Sequence, residues 1–319
     1  MLLNIVFLIA GIAVIIYAAN LLVDGSASIA KKLNVSDIVI GLTIVAFGTS
    51  APELTVSLFS AAKGSTDLAV GNVMGSNIAN IFLILGASAL IFPLTIQKNT
   101  QWKEIPYLFF SALLVVLFAN DILIGNSTEN ILSRTEGIVF LIFFVIFLGY
   151  TFRISKNQQA EEIPSKVFSV PKSVLFIFLG LCGLVGGGKI LVDGAVGIAT
   201  IAGVSERIIG VTIVAVGTSL PELATSLVAA FKKKSDIAIG NVVGSNIFNV
   251  FLILGTAIIV RPAPISLGSN IDMLIALFAG LILFISTFTL KHRTIGRTEG
   301  GIFLILYASY IYYLVKIQL

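Results

Sequence analysis

The sequence has little charge: 11% of its 319 residues are Asp, Glu, Lys or Arg, against 57% hydrophobic residues and a mean hydropathy of +1.06. That balance excludes an ordinary soluble domain, in which roughly a quarter of the residues are charged. Cysteine is reduced to Cys182, which excludes an intrachain disulfide and a cysteine-rich metal centre. The single histidine, His292, lies between Lys291 and Arg293 and reads as a solvated loop residue. No basic residue precedes the first apolar run and no small-residue cleavage site follows it, so this run is expected to be a retained span and not a signal peptide. The net charge of +4 is modest and the basic residues collect between apolar runs, a pattern that membrane topology explains without nucleic acid.

What is present is apolar length. Spanning helices need about 20 apolar residues each, and ten segments qualify, at 3–30, 36–62, 67–92, 104–120, 131–152, 171–201, 205–231, 236–260, 270–290 and 297–316. The expected fold is an all-α integral membrane protein with ten transmembrane helices. An internal repeat organises them. Residues 41–86 align without gaps with residues 210–255, with 30 identities in 46 positions, and LLVDG at 21–25 and RTEG at 134–137 return at 190–194 (as ILVDG) and 297–300. The chain is expected to consist of a first five-helix repeat at 1–152, a polar cytoplasmic linker at 153–170 and a second five-helix repeat at 171–319. Five being odd, the second repeat enters the membrane from the opposite side, so the two are inverted. Alternate loops hold fourteen basic residues on one side and five on the other. The positive-inside rule then places both termini outside the cell.

Within the spans each repeat carries two polar stretches. GTSAPEL holds Thr49, Ser50, Pro52 and Glu53, and its twin GTSLPEL holds Thr218, Ser219, Pro221 and Glu222. The adjacent helices carry Asn72, Ser76, Asn77 and Asn80, then Asn241, Ser245, Asn246 and Asn249. Thr49 to Glu53 and Ser76 to Asn80 are i,i+4 pairs that share a helix face. All these side chains offer oxygen and none offers imidazole or thiolate, which favours hard cations over zinc or copper. The prolines cannot donate an N–H and clash one turn back, so each helix is expected to kink or unwind and release carbonyls around Ala46 to Thr49 and Ala215 to Thr218. Gly71 with Gly75, and Gly240 with Gly244, form GxxxG faces suited to close packing. Two glutamates brought together in hydrocarbon need a divalent cation, several monovalent ones or protons. Calcium and sodium suit such a cage, since magnesium gives up water reluctantly.

The motifs GTSAPEL, GTSLPEL, GNVMGSNIANIFLILG and GNVVGSNIFNVFLILG resemble the paired alpha-repeats of the cation/calcium exchanger superfamily, in its prokaryotic sodium/calcium exchanger branch. The resemblance implies two inverted halves, with broken helices 2, 3, 7 and 8 forming a central ion site and helices 1 and 6 sliding across it. Carried over position by position, it implies ligands at Thr49, Ser50, Glu53, Ser76 and Asn80, and at Thr218, Ser219, Glu222, Ser245 and Asn249, with the carbonyls of Ala46 and Ala215 completing sodium sites. It also implies an antiporter exchanging Na+ for Ca2+, working as a monomer in the cell membrane, with no enzymatic activity and no cofactor. Some relatives place aspartate at the position of Asn80 or Asn249; here both are Asn, which favours potassium independence and leaves two carboxylates. The alternatives are an H+/Ca2+ antiporter, a cation channel and a non-transporting scaffold.

Other polar residues have plainer readings. The glutamates could be protonated packing acids, and Ser and Thr could bond back to helix carbonyls. Asn72, Asn77, Asn241 and Asn246 are expected to bond between helices. Asp67 and Asp236 are expected to cap the third and eighth helices, with an ion-attracting vestibule as the alternative, Arg134 with Glu136 and Arg297 with Glu299 to be interfacial anchors or local pairs, Lys189 to snorkel, and the phenylalanines to face lipid.

Overall fold

The computed structural model describes residues 2–120, 122, 129–155, 167–201 and 215–318. The structure is built of long helices. α1 (Leu2–Leu33) leads to α2 (Asp37–Thr49) and α3 (Ala51–Lys63), an apolar pair bent by 47° at the break between them. α4 (Thr66–Ile91), strand β1 (Leu94–Thr95), α5 (Thr100–Phe118), β2 (Ile131–Leu132) and α6 (Arg134–Ser155) follow. The second part comprises α7 (Val170–Ile201), α8 (Ala215–Thr218), α9 (Leu220–Phe231), α10 (Ser235–Val260), β3 (Ala263–Pro264), α11 (Leu267–Ser286), β4 (Thr294–Ile295) and α12 (Arg297–Gln318). Among the described residues eight helices are long and apolar enough to cross a membrane, and the bent α2–α3 pair makes a ninth. The start of the segment expected at 205–231, Arg207 within it and most of the linker lie outside the described residues.

Contacts recur in exchanged pairs. β1 pairs antiparallel with β4, and β2 with β3. Gln101 at the start of α5 donates to Thr287 just past the end of α11 at 2.9 Å, while Asn270 at the start of α11 donates to Asn120 just past the end of α5 at 2.7 Å. Gly86 and Gly300 let α4 and α12 meet backbone to backbone, and Gly255 and Gly137 do the same for α10 and α6. α1 runs antiparallel along α7, with Gly180 against Leu22 and Gly11 against Leu191. The α3–α4 turn needs Gly64, at φ 89°, a conformation that costs an L side chain strain.

The central helices depart from the expected broken set. α4 and α10 contain no proline and run unbroken; instead their middles, Ala79–Leu85 and Asn249–Leu254, are wound as π-helix. A π-turn admits extra residues without losing its ladder, and such turns gather at functional sites. Only the proline-bearing segments break, at Ser50 and Ser219.

The GxxxG expectation is met at Gly240 and Gly244. A Cβ on Gly240 would lie 2.9 Å from the Ile38 carbonyl oxygen, and one on Gly244 would lie 2.8 Å from that of Leu42, so α10 and α2 touch along their backbones. Gly71 and Gly75 meet nothing within 4 Å among the described residues; the positions equivalent to Ile38, Gly41 and Leu42 in the second repeat, 207, 210 and 211, lie outside them. The acids also differ from expectation. Helices α4 and α10 begin at Thr66 and Ser235, so Asp67 and Asp236 stand in the first turn and not at the N-cap position; Asp67 accepts from Ser269 and Asp236 from Gln97. Glu136 accepts the Ser133 N–H and Glu299 the Gly296 N–H, while Arg134 donates to the Ile259 carbonyl. Phenylalanine is not all lipid-facing: Phe140, Phe147, Phe251 and Phe303 are buried, and Tyr107 stacks on Phe147 with centroids 5.7 Å apart.

Gly244→Val should therefore cost about 1–3 kcal/mol through overpacking of α10 on α2. The melting temperature of the purified variant reads the loss; a variant as stable as the wild type would contradict the close backbone contact.

Candidate functional site

The local sequence explains why the polar residues gather. Pro52 and Pro221 sit in the first turns of α3 and α9, where a missing N–H is tolerated. Ser50-Ala51-Pro52-Glu53 and Ser219-Leu220-Pro221-Glu222 have the spacing of a capping box, in which Ser would bond the N3 backbone N–H and Glu would reach back. Neither serine makes that bond. Ser50 Oγ instead donates to Glu222 Oε1 at 2.9 Å, and Ser219 Oγ donates to Glu53 Oε1 at 3.2 Å. Each glutamate is thus held by the serine of the other repeat. Both carboxylates stand at helix N-termini, where the backbone dipole favours negative charge.

The neighbouring helices complete the cluster. Ser76 on α4 donates to Glu53 Oε1 and Ser245 on α10 to Glu222 Oε1, each at 3.5 Å. Ser50 and Ser245 are 3.0 Å apart, Ser219 and Ser76 3.3 Å. Thr49 donates to Asn241 Oδ1 at 3.0 Å and also engages Glu222, as Thr218 engages Glu53. Asn72 donates to Ser57 and to the Glu53 carbonyl; Asn241 does the same with Ser226 and Glu222. Asn80 and Asn249 project from the π-turns, and their amide nitrogens donate to Asn246 and Asn77.

Among the described residues, four oxygens in this cluster are left without a hydrogen-bond partner: Glu53 Oε2, Glu222 Oε2, Asn80 Oδ1 and Asn249 Oδ1. Each belongs to a side chain 1% exposed. An unpaired buried oxygen is costly, a carboxylate oxygen most of all. Two carboxylate oxygens and two amide oxygens, related by the repeat and unclaimed by the protein, form a donor set for a hard cation. No group of three or more His, Cys, Asp or Glu occurs among the described residues, so amide and hydroxyl oxygens must supply the remaining ligands.

The structure therefore brings together Thr49, Ser50, Glu53, Ser76, Asn80, Thr218, Ser219, Glu222, Ser245 and Asn249. Ala46 differs from expectation: its carbonyl keeps its helical bond, accepting the Ser50 N–H at 3.0 Å, because the chain kinks at Ser50 without unwinding before it. A carbonyl has two lone pairs, and the second faces the hydroxyls of Thr49 and Ser245 at 3.4 and 3.5 Å. Ala215 opens α8, at the equivalent position. Sequence reasoning missed Ser57 and Ser226, although both recur at the repeat offset of 169. The cluster is not equally closed on both sides. Asn72 and Thr218 are partly exposed, whereas their counterparts Asn241 and Thr49 are fully buried.

Fold and site together define a multi-span membrane protein with a buried, oxygen-lined polar cluster. The family model for sodium/calcium exchanger protein matches residues 3–153 and 172–316, and the chain belongs to that family. The chain is 31% identical to the sodium/calcium exchanger MaX1 of Methanosarcina acetivorans, over 97% of each chain. It is 34% identical to the inner membrane protein YrbG of Escherichia coli strain K12, over 88% of each. A solved structure of the sodium-calcium exchanger NCX_Mj, soaked with Na+ and Sr2+, superposes with a TM-score of 0.84 at 35% identity, covering 98% of both chains. Members of this family are transporters and not enzymes; they carry Na+ and Ca2+ and need no cofactor.

Protons compete with cations for unpartnered carboxylate oxygens. Calcium binding to the purified protein should therefore weaken progressively as pH is lowered from neutral into the acid range, and Glu222→Gln should weaken it by roughly tenfold or more at neutral pH. Calorimetric titration reads both; binding insensitive to acid and to this substitution would exclude the cluster as the site.

Proposed function

We propose that this protein is a secondary active antiporter that exchanges Na+ for Ca2+ across the cell membrane by alternating access. The observation that carries this reading is the set of four unpartnered buried oxygens on Glu53, Glu222, Asn80 and Asn249. Two carboxylates are compensated either by one Ca2+ or by sodium ions, and the site cannot be crossed with its charge uncompensated. That condition couples the two fluxes. Ser50, Ser219, Ser76, Ser245, Thr49, Thr218 and the carbonyls of Ala46 and Ala215 supply the remaining oxygens as the ion load changes.

The architecture we propose is ten spans in two inverted halves, 1–152 and 171–319, joined by a cytoplasmic linker, functional as a monomer and with both termini outside. The exchanged contacts of β1 with β4 and β2 with β3 support the inversion. The second span is α2 with α3, the third α4, the seventh ends in α8 and α9, and the eighth is α10. The first and sixth, α1 and α7, pack chiefly on one another and move across this bundle. In this orientation α4 begins on the outer side, so the partial exposure of Asn72 and Thr218 supports a conformer that admits ions from outside.

Proton coupling is the second reading, favoured by the same unpartnered carboxylate oxygens, which accept protons as readily as metal ions. Radiolabelled calcium uptake into sodium-loaded proteoliposomes separates the two. The exchange reading expects uptake that collapses when the outward sodium gradient is removed and is abolished by Glu53→Gln with Glu222→Gln. Uptake driven by a pH gradient in the absence of sodium would replace it with H+/Ca2+ antiport, and calcium flux requiring no counter-ion would indicate a channel.

A further inference from the structure

Asn77 on α4 and Asn246 on α10 occupy equivalent repeat positions and are buried, 5% and 0% exposed. Each holds the other half's π-turn asparagine. Asn249 Nδ2 donates to Asn77 Oδ1 at 3.0 Å, and Asn80 Nδ2 donates to Asn246 Oδ1 at 3.3 Å. Asn77 is in turn anchored by its own Nδ2, which donates to the Asn246 carbonyl at 3.4 Å. An asparagine side chain is an acceptor on one side and a donor on the other. Holding the donor side determines where the acceptor points, and the acceptor oxygens of Asn80 and Asn249 are among the four left unpartnered.

We propose that Asn77 and Asn246 are positioning residues that set the polarity of the Asn249 and Asn80 amides, so that a cation meets Oδ1 and never the NH2 group. The inference rests on the exchange reading and adds to it a cause for the amides' orientation. An amide turned by half a rotation would present two N–H donors to the ion, which repel it. The crossed arrangement also couples the halves. Each asparagine ligand is oriented from the opposite repeat, so separation of α4 from α10 would release both amides together. Asn246 has a further property that makes the inference testable: its own Nδ2 has no partner. Asn246→Asp therefore keeps the acceptor for Asn80 and removes no hydrogen bond, whereas Asn246→Leu removes the acceptor at similar size.

The test is a double-mutant cycle read as the calcium concentration for half-maximal exchange, with the maximal rate and the calcium-induced shift in melting temperature measured alongside. Asn246→Leu and Asn80→Leu should each raise the half-saturating concentration about tenfold, with a smaller change in maximal rate. The double variant should be no weaker than the weaker single, and Asn246→Asp should recover most of the loss. Multiplying effects in the double variant, an Asn246→Leu protein with wild-type affinity, or an Asn246→Asp protein as impaired as Asn246→Leu would overturn the positioning role. Should Asn246→Leu fail to fold, Asn77→Leu with Asn249→Leu reads the same coupling through the other half. A wild-type protein that exchanges and is stabilised by calcium, yet shows multiplying effects, removes this inference alone. One that does neither removes the exchange reading and this inference with it.

Discussion

Two carboxylates buried in a membrane bundle are the constraint around which the rest is arranged. Alone they would be strongly unfavourable. Their tolerable arrangement comes from crossed hydrogen bonds, Ser50 to Glu222 and Ser219 to Glu53. A capping serine contributes about 1 kcal/mol to its own helix; here both serines give up that local bond for a bond to the other repeat. The consequence is that neither repeat can build a site by itself. Each contributes a charge that the other one helps to hold, the crossed serine lying closer to each glutamate than the Ser76 or Ser245 of its own repeat.

The irregular backbone follows from the same requirement. Pro52 and Pro221 break their helices at Ser50 and Ser219, which points the next turn's carboxylates inward and gives them helix N-termini to sit on. On α4 and α10 no break is present, and the π-turns at Ala79–Leu85 and Asn249–Leu254 present Asn80 and Asn249 to the centre while the helices remain continuous. Glycine does the complementary work where helices must touch: Gly240 and Gly244 bring α10 onto α2.

Much of this was legible in the sequence because the repeat states its chemistry twice. The polar positions, their oxygen-only character and the proline breaks all recur at one offset, and all ten side-chain positions converge. What was not legible has physical reasons. Six or seven residues of π-helix leave too short a record for periodicity to separate from α-helix; the breaks expected in α4 and α10 came with the resemblance, and neither helix holds a proline to make them. The Ser-x-Pro-Glu spacing matches a capping box, and nothing local says that the bond will be made across the molecule. Ala46 was expected to lose its helical bond, yet the kink falls after it and the Ser50 N–H stays in place.

The central claim is that one pair of glutamates, with two amide oxygens, serves sodium and calcium in turn. Equilibrium binding of radiolabelled calcium to the purified protein, titrated with sodium at constant ionic strength, tests it directly. The account predicts that sodium raises the apparent dissociation constant for calcium, leaves the number of calcium sites unchanged and acts with a slope above one, because more than one sodium ion replaces each calcium. Sodium that leaves calcium affinity untouched, or calcium that stays bound while sodium occupies the protein, would contradict it.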